Sequence, residues 1–223
     1  MKTGFLVAIF LCIASVGASA DEATPKTDHE KFSYAIGYQI AESVKRQKIK
    51  VDVDSLIQAI RDDLSGAPLR ISQPEMQAVV AAYQQKIFQE LSDKNEKAGK
   101  KYLAANKKEK GVVELPSGLQ YKIVKAGNGK KPVSSDTVTV HYRGTSIDGT
   151  EFDSSYARGE PATFQVATII SGWQEALVLM SEGAKWQVFI PPALAYGAGG
   201  AGQSIGPNET LVFEIELVSI VKE

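Results

Sequence analysis

The side chains best suited to form a binding site are aromatic and lie between residues 142 and 213 of the 223-residue chain. They occur in short phrases that are far apart in sequence: Tyr142, Phe152 followed by Asp153, Trp173, Tyr196 and Phe213. If these side chains converge, they line a water-poor aromatic cavity with a carboxylate and one or two hydroxyl groups at its rim. We therefore expect a site that acts by binding an apolar group rather than by transferring a proton or an electron pair.

Groups for bond-making chemistry are scarce. His141 alternates with Val140 and Tyr142 on a strand-like segment, so it should face away from the aromatic cavity. His29 lies near the N-terminus, the single cysteine is Cys12, and no His, Cys or carboxylate cluster has the spacing of a metal site. Nucleophilic and zinc chemistry are therefore disfavoured, and we expect neither a metal nor a cofactor.

A glycine-rich segment, residues 197–202, matches the G-x-G-x-x-G dinucleotide pattern letter for letter. That pattern binds a pyrophosphate only between a strand and the first turn of a helix. Here Pro191-Pro192 precede it and a strand-like segment follows, so we interpret it as a flexible loop beside the cavity. The net charge of −1 gives no indication of a nucleic-acid partner either.

Helical spacing dominates the elements before these phrases. Apolar residues recur every fourth position over residues 32–44, and a second helix fits residues 54–64. A long third helix should begin at the capping residue Ser72 and run to about Lys110. Its first half carries an apolar stripe, whereas Ser92–Lys110 is mostly polar, and we expect that second half to cross solvent as a stalk between domains.

The apolar stripes of these helices are too few to form a core of their own. A second copy of the chain would cover them, most simply through a two-fold, self-complementary contact. We therefore predict a homodimer through residues 29 to about 90. The alternative is that this segment folds back on the C-terminal domain.

Strand-like alternation begins after Gly111, and it has to position the aromatic phrases. The predicted strands are residues 118–124, 137–142, 150–153, 185–190 and 211–218, with a hairpin turn at Asp148-Gly149 and a short helix over residues 172–180. Antiparallel strands with one short helix give an α+β domain. The predicted fold is an all-α N-terminal domain joined to this α+β C-terminal domain by the long helix.

The N-terminus has the features of an export signal. Lys2 precedes an apolar run, Phe5–Val16, and Ala18-Ser19-Ala20 fits a cleavage site. The run is short for a bilayer span, so we predict a signal peptide, with an uncleaved anchor as the alternative. The mature chain then lacks cysteine, which suits an oxidising compartment. We predict a periplasmic or outer-membrane-associated protein without a stable membrane span.

These boundaries define four predicted segments: a signal peptide (1–20), a flexible leader (21–28), a helical dimerisation domain with the long linker helix (29–110), and the domain that carries the cavity (111–223).

The C-terminal phrases resemble the FK506-binding-protein (FKBP) family of peptidyl-prolyl cis-trans isomerases. The matching phrases are Val140-His141-Tyr142-Arg143-Gly144, Phe152-Asp153-Ser154-Ser155, Ile170-Ser171-Gly172-Trp173, Ala195-Tyr196-Gly197 and Thr210-Leu211-Val212-Phe213-Glu214. The helical first half resembles, in layout, the dimerisation domain of the macrophage-infectivity-potentiator type of this family. The resemblance implies a curved antiparallel sheet wrapped on the short helix.

The resemblance also implies roles for individual residues. The catalytic cavity would be formed by Tyr142, Phe152, Asp153, Trp173, Tyr196 and Phe213, and substrate contacts would come from Arg158, Phe164, Ile169, Ile170 and Ile205. Trp173 would be the floor, Tyr196 would donate its hydroxyl to a substrate carbonyl, and Arg158 would hold Asp153. Each residue has a structural alternative, such as core packing, bracing of a turn or an ion pair in a hairpin.

The implied function is rotation about X-Pro bonds in folding periplasmic or secreted proteins, through binding of the twisted imide. The implied partners are proline-containing flexible polypeptides, with macrolides of the FK506 and rapamycin type as inhibitors. Ala162, Ala201 and Ser204 stand where bulkier groups are common in the family, which weakens the expectation of macrolide binding more than that of isomerase activity. The alternative is a dimeric holdase chaperone or surface-interaction protein with incidental isomerase activity.

Overall fold

The computed structural model describes residues 24–46 and 49–221. The predicted signal peptide, its cleavage site, Cys12 and the first residues of the predicted leader lie outside the described residues. By internal contacts the chain divides into two units, Met1–Arg70 and Ile71–Glu223. None of the helices in the described ranges is both long and apolar enough to cross a membrane.

The first unit contains two amphipathic helices, α1 (Asp28–Arg46) and α2 (Val53–Ser65). Asp52 caps α2, because its carboxylate accepts a hydrogen bond from the Ser55 N–H at 2.8 Å. Gly66 ends the helix in the left-handed region, with φ at 72°. Neither helix buries any of its described residues, so the apolar stripes that the sequence indicates are exposed.

The second unit begins with α3 (Gln73–Asn106), which has 34 residues. Its start is the predicted one, since the Ser72 hydroxyl accepts a hydrogen bond from the Glu75 N–H at 3.3 Å. The helix ends at Asn106 rather than at about Lys110. The long helix predicted from the sequence is therefore present, and it ends about one turn earlier than expected.

The second half of α3 is not a stalk surrounded by solvent, and that expectation is wrong. Ser92 and Gly99 are buried, and the Tyr102 ring packs 6.1 Å from the ring of Phe189 on the sheet. Apart from Tyr102, the contact residues on this face, Ser92, Asn95 and Gly99, are small or polar, so a search for an apolar stripe does not detect it. They dock through close approach and hydrogen bonds instead.

The rest of the second unit is one seven-stranded antiparallel sheet. Its strands are β1 (Val112–Glu114), β2 (Gln120–Lys125), β3 (Thr137–Ser146), β4 (Glu151–Ser154), β5 (Ala162–Gln165), β6 (Lys185–Ile190) and β7 (Leu211–Val221). The order is β1-β2-β6-β7-β3-β4, and β5 pairs with the first part of β3. Two short helices, α4 (Ser155–Arg158) and α5 (Ser171–Leu177), complete the unit.

The core of this unit lies between one face of the sheet and α5. On β3 every second side chain is buried, including Val138, Val140 and Tyr142. Helix α5 buries Trp173 and Leu177 in the same apolar cluster. The predicted α+β fold, a helix packed on an antiparallel sheet, is confirmed.

Candidate functional site

A cavity of about 580 Å³ lies at one end of this core. Every predicted site residue except Arg158 is in its wall. The wall also contains Ala201 and Ser204, which the sequence indicated as small residues near the site, and Thr168, which the sequence did not indicate. Arg158 lies at the rim, where it pairs with Asp153.

The indole ring of Trp173 forms the base of the cavity. It is only 4% exposed and is held between the rings of Tyr142 and Phe213, each 5.2 Å away and nearly perpendicular to it. The ring of Phe164 makes a third perpendicular contact at 5.8 Å. Edge-to-face pairs of this kind contribute about 0.5–1.5 kcal/mol each beyond area burial. The floor is therefore an aromatic ring packed against three others.

The sheet register explains how Phe152 and Phe213 form one wall. Gly144 on β3 pairs with Phe213 on β7, so Phe213 shares a sheet face with Tyr142, two residues earlier on β3. The rings of Phe152 and Phe213 meet at 5.5 Å and 83°. A Cβ atom at Gly144 would lie 2.7 Å from both rings. The absent side chain of Gly144 thus provides the space in which the two rings meet.

The polar rim is a closed hydrogen-bonded group of three side chains. The Tyr142 hydroxyl donates to Asp153 Oδ2 at 2.5 Å and accepts from Arg158 Nη2 at 2.7 Å. Arg158 Nη1 donates to the other oxygen of Asp153. The group fixes the Asp153 carboxylate at the edge of the aromatic cavity.

These contacts determine the ionisation of the rim. Partial burial opposes ionisation of Asp153, but hydrogen bonds from Tyr142 and Arg158 outweigh it and lower the pKa of Asp153. Burial and the neighbouring carboxylate raise the pKa of the Tyr142 hydroxyl. At neutral pH the rim therefore holds an aspartate anion, a neutral phenol and a guanidinium, and Asp153 is not available as a general acid.

Two consecutive serines build this rim locally. The Ser154 hydroxyl accepts from the Ala157 N–H at 3.3 Å and so caps α4, the helical turn that brings Arg158 back to Asp153. The buried Ser155 hydroxyl accepts from the Tyr142 N–H at 2.8 Å and donates to the Tyr142 carbonyl at 3.2 Å. The backbone of Tyr142 is thereby fixed beside the start of α4.

The loop after β6 supplies the opposite rim. Tyr196 is 42% exposed, and its hydroxyl bonds to none of the described residues. Residues 197–199 form a single 3₁₀ turn, and Ala201 pairs with Ile205 in an isolated bridge. The glycine-rich pattern is thus a loop at the cavity rim, without the strand-to-helix turn that binds a dinucleotide.

Other candidate groups lie outside the cavity wall. As predicted, His141 is on the opposite side of β3, where it stacks on Tyr156 at 4.7 Å and bonds to the Ser155 hydroxyl at 3.1 Å. Gln174, which was not singled out from the sequence, donates to the Ile169 carbonyl at 2.7 Å and so supports the wall from α5. Its position next to Trp173 was the available signal. Among the described residues, no three His, Cys, Asp or Glu side chains are placed to hold a metal ion.

Comparison with known proteins gives two family matches. The family described as FKBP-type peptidyl-prolyl cis-trans isomerase matches residues 128–218. The family described as the domain amino-terminal to FKBP-type peptidyl-prolyl isomerase matches residues 29–123. The two matches together extend over the helices and the sheet described above.

Individual relatives match along most of the chain. Outer membrane protein MIP of Legionella longbeachae is 45% identical, over 95% of this chain and 94% of that protein. Peptidyl-prolyl cis-trans isomerase Mip of Coxiella burnetii is 39% identical, over 98% of this chain and 99% of that protein. The crystal structure of FkpA from Escherichia coli superposes with a TM-score of 0.71 at 39% identity, over 88% of this chain and 98% of that chain. The chain belongs to the FKBP-type peptidyl-prolyl cis-trans isomerase family, which confirms the resemblance seen in the sequence.

Proposed function

We propose that this isomerase holds the proline ring of an X-Pro segment over Trp173 and accelerates rotation by binding the twisted imide more tightly than the planar forms. One observation carries the proposal: the buried indole forms the base of an open cavity and is fixed by three perpendicular aromatic rings. Proline is the only residue whose apolar ring includes the backbone nitrogen, and this small ring matches such a floor in shape and polarity.

The chemistry needs an environment rather than a reactive group. Rotation about the imide passes over a barrier of about 18–20 kcal/mol, because the twisted state loses amide resonance. Loss of resonance removes negative charge from the carbonyl oxygen, so the twisted form is less polar than either planar form. An apolar cavity penalises the planar forms more strongly, and this differential binding lowers the barrier.

The few polar groups of the cavity would orient the substrate. The Tyr196 hydroxyl, which has no partner among the described residues, donates to a carbonyl next to the proline. Ile169 and Ile170 add apolar contact and backbone groups at the start of α5. Asp153 is already neutralised by Arg158, so it shapes the rim electrostatically without exchanging a proton.

The two tryptophans allow a matched test of the floor. Trp186 is also 4% exposed, but it stacks on Tyr121 at 4.3 Å and is not in the cavity wall. Trp173→Leu and Trp186→Leu should destabilise the fold similarly, and only Trp173→Leu should lower kcat/KM on an X-Pro peptide, by about 10²-fold if the proline loses its position. Equal activity of the two variants would exclude Trp173 as the floor.

We further propose that the substrates are proline-containing flexible polypeptides outside the cytoplasm. The predicted signal peptide supports this, and a relative bears the name outer membrane protein. The Mip protein of Coxiella burnetii and FkpA of Escherichia coli are named as peptidyl-prolyl cis-trans isomerases, which favours this function over a holdase chaperone. The mass of the protein recovered from a periplasmic extract tests export, since removal of residues 1–20 exposes Asp21 as the N-terminus. A full-length mass would contradict cleavage.

A homodimer through the N-terminal helices is also proposed. The apolar stripe of α1 is exposed, with Phe32 at 64% and Ile36 at 43%, and a second copy would remove it from water. Ile36→Glu should then convert a dimer into a monomer in light-scattering measurements. Lys31→Glu places the same carboxylate off the stripe and should leave the dimer intact. A monomeric parent protein would refute the proposal.

Macrolide inhibitors of the FK506 and rapamycin type are proposed to bind weakly. Ala201 and Ser204 leave the rim open, so a macrolide contacts less surface there than it would against bulkier side chains. Titration of the Trp173 fluorescence with such a compound tests this directly, with Trp173→Leu as the control for the signal of Trp186.

A further inference from the structure

The second half of α3, which packs on the sheet domain and is called its docked half below, binds residues 207–210. This segment joins the loop at the cavity rim to β7. Asn95 Nδ2 donates to the Pro207 carbonyl at 2.9 Å, and Asn208 Nδ2 donates to the Ser92 hydroxyl at 2.8 Å. One turn further along, a Cβ atom at Gly99 would lie 2.2 Å from Thr210 Oγ1, so the helix backbone touches this side chain. Three residues on one face of α3 therefore hold three of the four residues from 207 to 210.

Asn208 connects the helix to the turn that carries Tyr196. Its side chain binds Ser92, and its backbone N–H donates to the Gly197 carbonyl at 2.9 Å. Among the described residues it is the only one other than glycine with a positive φ, at 50°. Asparagine tolerates this region better than most residues. The left-handed conformation lets the Asn208 side chain bind Ser92 while its backbone N–H binds the Gly197 carbonyl.

The segment that α3 holds is continuous with the cavity rim. Ala201 and Ile205 exchange two backbone hydrogen bonds, of 2.9 and 3.1 Å, and both side chains are in the cavity wall together with Ser204. The Gly206 N–H then donates to Glu209 Oε2 at 2.6 Å, which keeps the chain compact up to Pro207. A shift of residues 207–208 is therefore transmitted to the rim over a few bonds.

We infer that Ser92, Asn95 and Gly99 of α3 are positioning residues of the isomerase site: they fix the rim formed by Tyr196, Ala201 and Ile205 without contacting the substrate. The inference rests on the proposed function of the cavity. It assigns to the long helix a part in substrate recognition, because the rim contacts residues that flank the proline while the floor contacts the proline itself.

The first test removes the hydrogen bonds between α3 and residues 207–208 by substitutions on the helix, in the full-length protein. Ser92→Ala and Asn95→Ala should each lower kcat/KM on an X-Pro peptide by about fivefold, the factor of one net hydrogen bond. The loss should differ between peptides with different residues before proline, since a displaced rim changes flanking contacts selectively. Lys94→Ala, at an exposed position of the same helix, should behave as the parent protein.

The second test breaks the same contact from the loop side. Asn208→Gly keeps the left-handed backbone and removes only the bond to Ser92. It should reproduce the effect of Ser92→Ala, and the double variant should lose no more than either single variant, because both remove one interaction. Additive losses would show that the two residues act separately and would overturn the coupling.

A steric pair gives an independent check. Gly99→Ala directs a methyl group at Thr210 Oγ1 and should lower kcat/KM. Thr210→Ala removes that oxygen but keeps the Cβ, 3.1 Å away, so the double variant should recover part of the activity. All kinetics are measured well below the unfolding transition, with urea unfolding in parallel. Parent-like kinetics in stably folded Ser92→Ala and Asn95→Ala would reduce the contact to a purely structural one and overturn the inference.

The Trp173→Leu variant, assayed alongside, distinguishes failure of the positioning role from failure of the proposed site. If Trp173→Leu is inactive and the α3 variants are parent-like, only the positioning role fails. If Trp173→Leu stays fully active, the proposed site itself fails.

Discussion

Replacing Tyr142 by phenylalanine should weaken the rim while leaving the aromatic floor in place. The change removes one oxygen atom that donates to Asp153 at 2.5 Å and accepts from Arg158 at 2.7 Å. The ring remains perpendicular to Trp173, 5.2 Å away. The variant therefore isolates the contribution of the hydroxyl group to stability and to the ionisation of the rim.

The magnitude follows from the two bonds and from their exposure. Hydrogen bonds to charged groups contribute about 1.5–3 kcal/mol each when they are buried. The Asp153 and Arg158 side chains are 43% and 45% exposed, so water can replace much of what the hydroxyl provides. After this discount the free energy of unfolding at neutral pH should fall by about 1–2 kcal/mol in total.

The pH dependence has a defined sign. The pKa of Asp153 is lowered in the folded state, so the carboxylate contributes stability above its unfolded-state pKa and loses it as the pH falls through the folded value. Without the Tyr142 hydroxyl the folded pKa of Asp153 moves up towards its ordinary range. The difference in stability between the parent protein and Tyr142→Phe should therefore be full at neutral pH and shrink as the pH falls below about 4.

Urea unfolding over this pH range and an NMR titration of the Asp153 carboxyl group measure both effects. Tyr156→Phe is the matched control, because its hydroxyl makes only an exposed 3.3 Å bond to Glu216 outside the cavity. That control should change stability by less than about 0.5 kcal/mol. An unchanged pKa of Asp153 in Tyr142→Phe, or equal losses in the two variants, would refute the description of the rim as one coupled group.

Two further predictions test the cavity wall and a hairpin outside it. Gly144→Ala places a methyl group 2.7 Å from the rings of Phe152 and Phe213. It should lower the free energy of unfolding by about 1–3 kcal/mol and also reduce isomerase activity. The control Gly199→Ala, with open space around its Cβ position, should change neither. Hydrogen bonds from the Ser146 hydroxyl and the Thr150 N–H lower the pKa of Asp148 to about 2. The parent protein should therefore lose stability as the pH falls from about 4 to about 2, and Asp148→Ala should lose less free energy of unfolding over the same range. A parent-like acid profile in Asp148→Ala would contradict the second prediction.

The cavity was predictable because its residues are carried by recognisable phrases. Tyr142 falls on the same alternating face of β3 as Val138 and Val140, and Trp173 begins an apolar helical segment, so periodicity indicates the inward direction of each. Periodicity does not indicate that distant aromatic residues meet, and the family resemblance supplied that step. The assignment of residues 29–110 to one domain remains a prediction.

The elements that were missed are those too short to show a period. Strands β1 and β5 have three and four residues, and α4 has four. Each contains at most two alternations or about one helical turn, so the sequence carries no repeat to detect. The bounds of β5 come from a contact between distant segments, its pairing with β3, which the local sequence does not encode.

The docked half of α3 was missed for a different reason, and the reason bears on its function. Hydrophobic patterning treats Ser92, Asn95 and Gly99 as solvent-facing, although a glycine inside a helix costs about 1 kcal/mol and therefore calls for an explanation. The explanation is contact with Thr210, which only a residue without a side chain permits. An apolar stripe would stabilise this interface in many registers, whereas two directed hydrogen bonds and one steric fit specify a single register. A helix that only buried apolar surface would not need a single register. A helix that holds the cavity rim in place does need one, because a shift in register would move the rim.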